Sequence, residues 1–246
     1  MLIDLFRSGL SPQEIIYYVI IYLFAMTLAF SIHEFMHASV AVWLGDPTPR
    51  NMGRLTLNPA AHVDPVGTLL LLIAGFGWGK PVLYNPSNLH RFKSHRWMNI
   101  MVHLAGVTGN FVLALFCAIF GLLFSCLSMK FSGGNAEIAL KALGDVFTYT
   151  YSFSMMLLAF NLLPIPPLDG FHVLEELLPY RVRSTEGYRN FERVSPMIIW
   201  VVFLVSTFTN IPILGYVIQI IKFPFQWIIN MILIPFAMLF TAIGLG

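Results

Sequence analysis

An unbroken apolar segment of about 30 residues, 14–44, restricts the fold of this chain more than any other feature. As an α-helix it would be roughly 45 Å long, at about 1.5 Å per residue. The hydrocarbon core of a bilayer is about 30 Å thick, so such a helix crosses it with a tilt or with a projecting end. The whole chain is 57% hydrophobic and 11% charged, whereas soluble domains are about 25% charged. We therefore predict an integral membrane protein.

The remaining apolar segments predict the rest of the architecture. The 246 residues have room for about five to six transmembrane segments in one integral-membrane domain, 1–246. The expected fold class is therefore an all-α polytopic membrane protein. After the first span, further spans are expected at about 97–127, 146–163, 196–221 and 223–245. A shorter apolar run, 66–76, predicts a segment that crosses only half of the bilayer.

Residues 48–65 are too polar for a span and too weakly charged for an ordinary loop. Within them, the side chains of 53–59 alternate in polarity and end in a turn at Asn58-Pro59, which predicts a short strand. We expect a short membrane-associated β-hairpin or loop in this region.

Two loops rich in lysine and arginine predict the orientation in the membrane. They lie at about 80–96 and 181–193, and the positive-inside rule places both in the cytoplasm. The segment 14–44 and the span that ends at 163 then both end on the cytoplasmic side, so their polar residues can meet at one depth. The first apolar segment is too long to be the core of a cleavable signal peptide, and we expect none.

Charge and cysteine content argue against two other kinds of site. The net charge is +2, and no basic face or aromatic stacking pattern supports a nucleic-acid partner. The two cysteines, Cys117 and Cys126, both lie in an apolar run. That position argues against a disulfide framework and against a thiolate zinc site.

A His-Glu-x-x-His motif lies at 33–37, inside the first apolar segment. Residues four apart lie on one face of a helix, so His33 and His37 can bind the same metal ion. Glu34 follows the first histidine directly, where a general base can reach the attacking water. Ionisable residues at membrane depth are costly and usually serve a function. The alternative is a structural polar cluster between helices.

A third ligand is expected from Asp169, because catalytic zinc usually has three protein ligands and one open position. The prolines at 164, 166 and 167 end the preceding helix and free its backbone groups. In a membrane this is tolerated only where the chain is buried or lines a cavity. An acidic residue just past such a break, on the same side as the histidines, is well placed to bind the metal. The alternative for Asp169 is a carboxylate that shapes a helix end or a turn.

Together these residues resemble the site-2 protease family of intramembrane zinc metalloproteases. The resemblance rests on the motif at 33–37 together with the stretch 161–170. It extends to the compact bacterial branch of the family, without PDZ or CBS modules, through the stretches 53–59, 62–68 and 77–82. The similarity covers about residues 20–180.

The resemblance implies one zinc ion per chain, with His33, His37 and Asp169 as its ligands and Glu34 as the catalytic base. It places the catalytic core at about 14–180, and a C-terminal transmembrane hairpin follows at about 196–245. The implied location is a bacterial cytoplasmic membrane, with the active site nearer the cytoplasmic face.

The family also carries a turn of the type Gly-Pro-x-x-Asn, and residues 105–110 align with it. Val107 stands where the family has proline. The resemblance implies that Asn110 contacts the substrate or binds the oxyanion, and an interhelical hydrogen bond is the alternative role. His103 and His172 are expected to be hydrogen-bonded or exposed to water rather than to bind metal.

The implied function is that of an intramembrane zinc endopeptidase. It would cleave the transmembrane segments of single-pass, membrane-anchored proteins within the lipid bilayer, as in regulated intramembrane proteolysis. The substrate helix has to unwind locally, and the predicted strand at 54–57 would pair with it. A membrane metal-ion transporter is one alternative, and it would need ligand groups at several depths. A non-catalytic membrane scaffold is the other, and it would not need Glu34.

Overall fold

The computed structural model describes residues 9–74, 77–209 and 213–245. These residues are mainly helical, which confirms the predicted all-α membrane fold. In chain order the α-helices are α1 (Pro12–Leu44), α2 (Thr48–Asn51), α3 (Pro65–Ala74), α4 (His95–Lys130), α5 (Asn135–Asn161), α6 (Asp169–Leu177), α7 (Tyr180–Arg183), α8 (Glu186–Thr209) and α9 (Ile213–Ala242). Short 3-10 turns lie at Pro59–Ala61 and Pro86–Asn88.

Helix α1 begins and ends at residues suited to those positions. The Ser11 hydroxyl accepts a hydrogen bond from the backbone N–H of Glu14, and the Glu14 carboxylate accepts one from the backbone N–H of Ser11. This is a capping box, with Pro12 in the first turn, where its missing N–H is not needed. Gly45 ends the helix at φ 120°, a conformation that favours glycine. The first predicted helix is therefore confirmed.

Helices α1, α4 and α5 pack against one another, and α9 packs against α4 and α5. Close packing of small and apolar side chains holds helices together in lipid, where the hydrophobic effect between them is weak. The buried apolar residues form three clusters, namely Ala41, Leu44, Leu89, Met98 and Val102; Val107, Leu158 and Ala159; and Ala114, Met155 and Ile229. Every cluster contains residues of α4, so α4 is the central helix against which α1 and α5 are positioned.

Three of the described helices are long and apolar enough to cross a membrane: α1, α4 and α9. Helix α5 lies where a further span was predicted, but Glu137, Lys141 and Asp145 make its first half more polar. The chain is thus a multi-pass membrane protein by length and composition, and a total of five to six crossings stays a prediction.

The β-hairpin that was expected within 48–65 does not form. The short helix α2 begins at Thr48, and a 3-10 turn occupies Pro59–Ala61. In the described part of the chain, the one isolated β-bridge pairs Val63 with Gly79. The loop that was the other expectation for this region is what the structure contains.

Side chains explain why the alternating stretch does not become a strand. The backbone N–H of Thr56 donates to the Arg54 carbonyl, and the Thr56 carbonyl lies 2.8 Å from Nε2 of His62. The Arg54 guanidinium donates to the Ala61 carbonyl. Such local bonds satisfy the backbone groups that a neighbouring strand would otherwise use. Both backbone groups of Thr56 are thus bonded within the chain, and the hypothesis that 54–57 pairs with a substrate strand stays a prediction.

The boundary predicted between the last two apolar segments, near 221–223, is also wrong. Helix α9 continues through Lys222 and Pro224 to Ala242. Proline in the interior of a membrane helix is tolerated, since neighbouring groups satisfy the freed carbonyl. Helix α8 ends at Thr209, and residues 210–212 between the two helices lie outside the described part.

Candidate metal centre

Helix α1 presents His33 and His37 on one buried face, about two to three turns before its end. Their Nε2 atoms are 3.1 Å apart. Both side chains are buried. The helical spacing therefore brings two imidazole nitrogens to one point in the interior of the bundle.

Asp169 reaches the same point from a distant part of the chain. It is the first residue of α6 and follows the irregular stretch that contains the three prolines. Its Oδ2 atom lies 3.3 Å from Nε2 of His33 and 3.2 Å from Nε2 of His37. Within residues 9–74, 77–209 and 213–245, this is the one group of three possible metal ligands that meets.

The chemistry of the three atoms fits a bound cation. Nδ1 of His37 lies 2.7 Å from the Val102 carbonyl oxygen, which can only accept. The ring hydrogen therefore lies on Nδ1, and Nε2 keeps its lone pair. Although Oδ2 of Asp169 is close to both imidazoles, it is buried without a hydrogen-bond partner. Lone pairs this close together repel one another unless a cation lies between them.

The spacing also suits zinc. Zinc–ligand bonds are about 2.0–2.1 Å long, so tetrahedral ligands lie about 3.3 Å apart. The three separations between His33, His37 and Asp169 are 3.1, 3.2 and 3.3 Å. Two imidazoles and one carboxylate leave a fourth position free, which is the arrangement of a catalytic rather than a structural zinc site.

Glu34 is buried beside the two histidines but takes no part in the group of three. Its Oε2 atom accepts a hydrogen bond of 2.8 Å from the backbone N–H of Val82. The carboxylate is therefore held by the loop that precedes α4. No signal in the sequence indicates the Val82 contact, because every residue except proline has a backbone N–H.

One face of α4 closes the site from the other side. Val102, Gly106 and Asn110 follow one another at intervals of four, so they lie along one stripe of the helix. A Cβ atom on Gly106 would meet the rings of both His33 and His37. The glycine is therefore required by the close approach of the two imidazoles.

Asn110 lies on the same stripe and is completely buried. Its amide nitrogen is 3.2 Å from Nδ1 of His33. The structure thus places Asn110 against the metal-ligand candidate His33 and exposes none of its surface. The substrate or oxyanion contact that the resemblance implies for it stays a prediction.

His103 and His172 lie outside the group of three and stack on each other, with ring centroids 4.8 Å apart. Nε2 of His103 is 3.0 Å from the Tyr84 hydroxyl. Burial and the nearby charges of Glu176 and Asp169 raise the pKa of Tyr84, so its hydroxyl stays protonated and can donate to His103. His103 is thus hydrogen-bonded, as predicted, and the prediction that neither histidine binds metal stays a prediction.

An apolar cavity of about 210 Å³ adjoins the site helix. It lies between α1, residues 77–79, α5 and α9, and its lining includes Phe30, Trp78, Phe160 and Ile218. Phe30 stands one helical turn before His33. The cavity can accept apolar side chains close to the candidate metal centre.

Several known proteins are similar to this chain in sequence. Residues 125–206 match peptidase family M50, a stretch that contains Asp169 and begins after the histidine motif. The chain is 37% identical to "Putative zinc metalloprotease YwhC" of Bacillus subtilis over 173 residues, which are 70% of this chain and 74% of that protein. It is 32% identical to "Putative zinc metalloprotease Rip2" of Mycobacterium tuberculosis over 176 residues, which are 69% of this chain and 62% of that protein. No solved structure matches the chain significantly.

Proposed function

The chain belongs to peptidase family M50, the site-2 proteases, and from this premise we propose that it cleaves transmembrane segments of membrane-anchored proteins inside the bilayer. It is a zinc metalloendopeptidase of the membrane. The observation that carries the proposal is the meeting of His33, His37 and Asp169, whose ligand atoms lie 3.1–3.3 Å apart within a bundle of apolar helices.

His33, His37 and Asp169 are the proposed zinc ligands, and Glu34 is the proposed catalytic base. Zinc bound by these residues would polarise the scissile carbonyl and lower the pKa of the attacking water. Glu34 takes the proton of that water and passes it to the leaving amine. The hydrogen bond from Val82 supports this role, because it fixes the direction of a carboxylate that lies outside the group of three possible ligands.

The surroundings of the site support a substrate that lies in the membrane. The histidines lie on α1, which is one of the three described helices apolar enough to cross a bilayer. The adjoining cavity is lined mainly by apolar side chains. A soluble peptide would lose its hydration on entering such a site, whereas a transmembrane segment is already in lipid. The proposed substrates are single-pass proteins, whose helix unwinds locally before cleavage, as in regulated intramembrane proteolysis.

The charge of the loops supports a site nearer the cytoplasmic face of a bacterial membrane. Helix α1 ends at Leu44, about two turns after His37, and the loop 80–96 that approaches its end carries four lysine and arginine residues. The positive-inside rule assigns such a loop to the cytoplasm. Metal transport is less well supported, because the described residues contain one ligand group rather than several at different depths.

Cleavage by the full-length protein in zinc-containing vesicles tests the proposal. A single-pass test substrate is reconstituted with wild-type protein, with Glu34→Gln, or with Glu186→Gln as an exposed control of the same chemistry. We expect wild type and E186Q to cleave within the transmembrane segment, with the position read by mass spectrometry. E34Q should keep its zinc and lose cleavage. Equal cleavage by E34Q, or products only from outside the membrane segment, would overturn the proposal.

A further inference from the structure

Helix α4 contacts the Nδ1 atom of both His33 and His37. A histidine that offers Nε2 to a metal carries its hydrogen on Nδ1, and that hydrogen needs an acceptor to fix the ring. For His37 the acceptor is the backbone carbonyl of Val102, at 2.7 Å. His33 lies one helical turn before His37 on α1. Its Nδ1 hydrogen therefore needs an acceptor other than the Val102 carbonyl.

The group that faces Nδ1 of His33 is the side-chain amide of Asn110, at 3.2 Å. His33 is 4% exposed and Asn110 is fully buried, so water does not replace this contact. Oδ1 of Asn110 has no other hydrogen-bond partner in its buried position. A rotation of the amide by 180° exchanges its oxygen and nitrogen at nearly the same place. Only the oxygen can accept the hydrogen of His33, and the rotation gives Oδ1 the partner that it lacks while it moves the amide nitrogen to the place of Oδ1.

Helix α4 is regular where it faces the two histidines. It is continuous from His95 to Lys130, and Val107 has the backbone N–H that a proline at this position would lack. In a continuous helix, residues 102, 106 and 110 follow one another along one stripe. Val102 then faces His37, Gly106 makes room for both rings, and Asn110 faces His33.

We propose that Asn110 is a positioning residue for the metal centre. Its amide oxygen accepts the Nδ1 hydrogen of His33, which fixes the ring and leaves Nε2 available to zinc. This inference rests on the assignment of His33 as a zinc ligand in the proposed function. It differs from the substrate or oxyanion contact that the family resemblance implies, since a fully buried amide has no surface for a substrate.

Zinc affinity tests the inference without any substrate. The full-length protein in detergent competes with a coloured chelator for zinc, and its cobalt form gives an absorption spectrum that reports ligand geometry. Loss of such an outer hydrogen bond typically weakens metal affinity about 10- to 100-fold. We expect this loss, with a changed cobalt spectrum, in Asn110→Ala. Asn99→Ala is the matched control on α4, because Asn99 donates to Glu176 rather than to a histidine; its zinc affinity should equal that of wild type.

Asn110→Asp keeps an acceptor in the same place. If N110A folds poorly, N110D still distinguishes a residue that positions His33 from one that contacts the oxyanion. If residue 110 positions His33, the N110D protein retains zinc affinity, the cobalt spectrum and measurable cleavage, because a carboxylate also accepts the Nδ1 hydrogen of His33. As an oxyanion contact, the same carboxylate would repel the developing negative charge and abolish cleavage with zinc affinity unchanged.

The inference is overturned if N110A binds zinc as tightly as wild type, or if N110D has the weakened zinc affinity expected of N110A. These outcomes do not depend on the cleavage assay. A protein that never cleaves, but whose zinc affinity follows this pattern, would contradict the proposed protease function and leave the positioning role of Asn110 standing.

Discussion

The carboxylate of Glu34 and the backbone N–H of Val82 are joined by a hydrogen bond of 2.8 Å across 48 positions of sequence. The contact orients the proposed catalytic base through the backbone of the loop before α4 rather than through another side chain. One oxygen of the carboxylate is thereby held in place. The loop is thus part of the site, although none of its described side chains is in the group of possible ligands.

Replacing Val82 with proline removes this donor, because proline has no backbone N–H. A hydrogen bond to a charged group contributes about 1.5–3 kcal/mol, and about 1.4 kcal/mol corresponds to a tenfold change in rate. We expect Val82→Pro to lower kcat about tenfold or more while zinc content stays at the wild-type level. Val82→Ala keeps the N–H and is the control. Equal kcat values for the two variants would show that the hydrogen bond does not orient the base.

Because α4 lies so close to the histidines, we expect one methyl group added at Gly106 to weaken both zinc binding and stability. Gly106→Ala places a Cβ atom in the space of the His33 and His37 rings, and overpacking of this kind costs about 1–3 kcal/mol. We expect the variant to bind zinc poorly and to unfold at a lower temperature. Gly121→Ala, on the same helix, is the control, since its Cβ would lie 3.6 Å from the nearest atom. Wild-type zinc binding by G106A would contradict the described packing.

The buried carboxylate of Asp46 predicts a pH dependence of stability. It accepts hydrogen bonds from the Asn88 amide at 2.7 Å, the Thr48 hydroxyl at 2.6 Å and the Asn85 backbone at 2.7 Å. Burial alone would raise the pKa of Asp46, but these bonds outweigh burial and hold the pKa below its ordinary value. The bonds fasten the end of α1 to the loop that precedes α4.

A carboxyl whose pKa is lower in the folded state stabilises the fold above its unfolded pKa, and this contribution disappears as the pH falls through the folded value. We therefore expect Asp46→Asn to lower the melting temperature most at neutral pH. The difference from wild type should shrink below about pH 4, the ordinary pKa of aspartate. Thermal unfolding at several pH values measures this, with the exposed Glu186→Gln as control. A difference that does not change with pH would rule out the ionised carboxylate as its cause.

The sequence predicts the site better than it predicts the path of the chain around it. Continuous apolar character and strong end signals, from Ser11 and Pro12 to Gly45, determine α1 locally. The motif at 33–37 and the acidic residue after the prolines could be joined because both were expected on one side of the membrane. The structure brings these residues together, and the prediction needed the charge of the loops but not their path.

What the sequence could not predict depends on contacts between backbone and side chains. The alternation at 53–59 is typical of a strand, but Arg54 and His62 bond to nearby carbonyls and prevent one. Val82 and Val102 act through backbone groups, which any residue other than proline at 82 would supply. The burial of Asn110 is likewise a property of the packed helices and leaves no pattern in the sequence.

The most direct test of the metal centre is the zinc content of Asp169→Ala after dialysis against a chelator. Asp145→Ala is the matched control, because Asp145 bonds to Tyr17 and not to the histidines. We predict about one zinc per chain in wild type and in D145A, as expected for a site with three protein ligands, and almost none in D169A. If D169A retains zinc with the affinity of wild type, Asp169 is not a ligand and the proposed site of His33, His37 and Asp169 is contradicted.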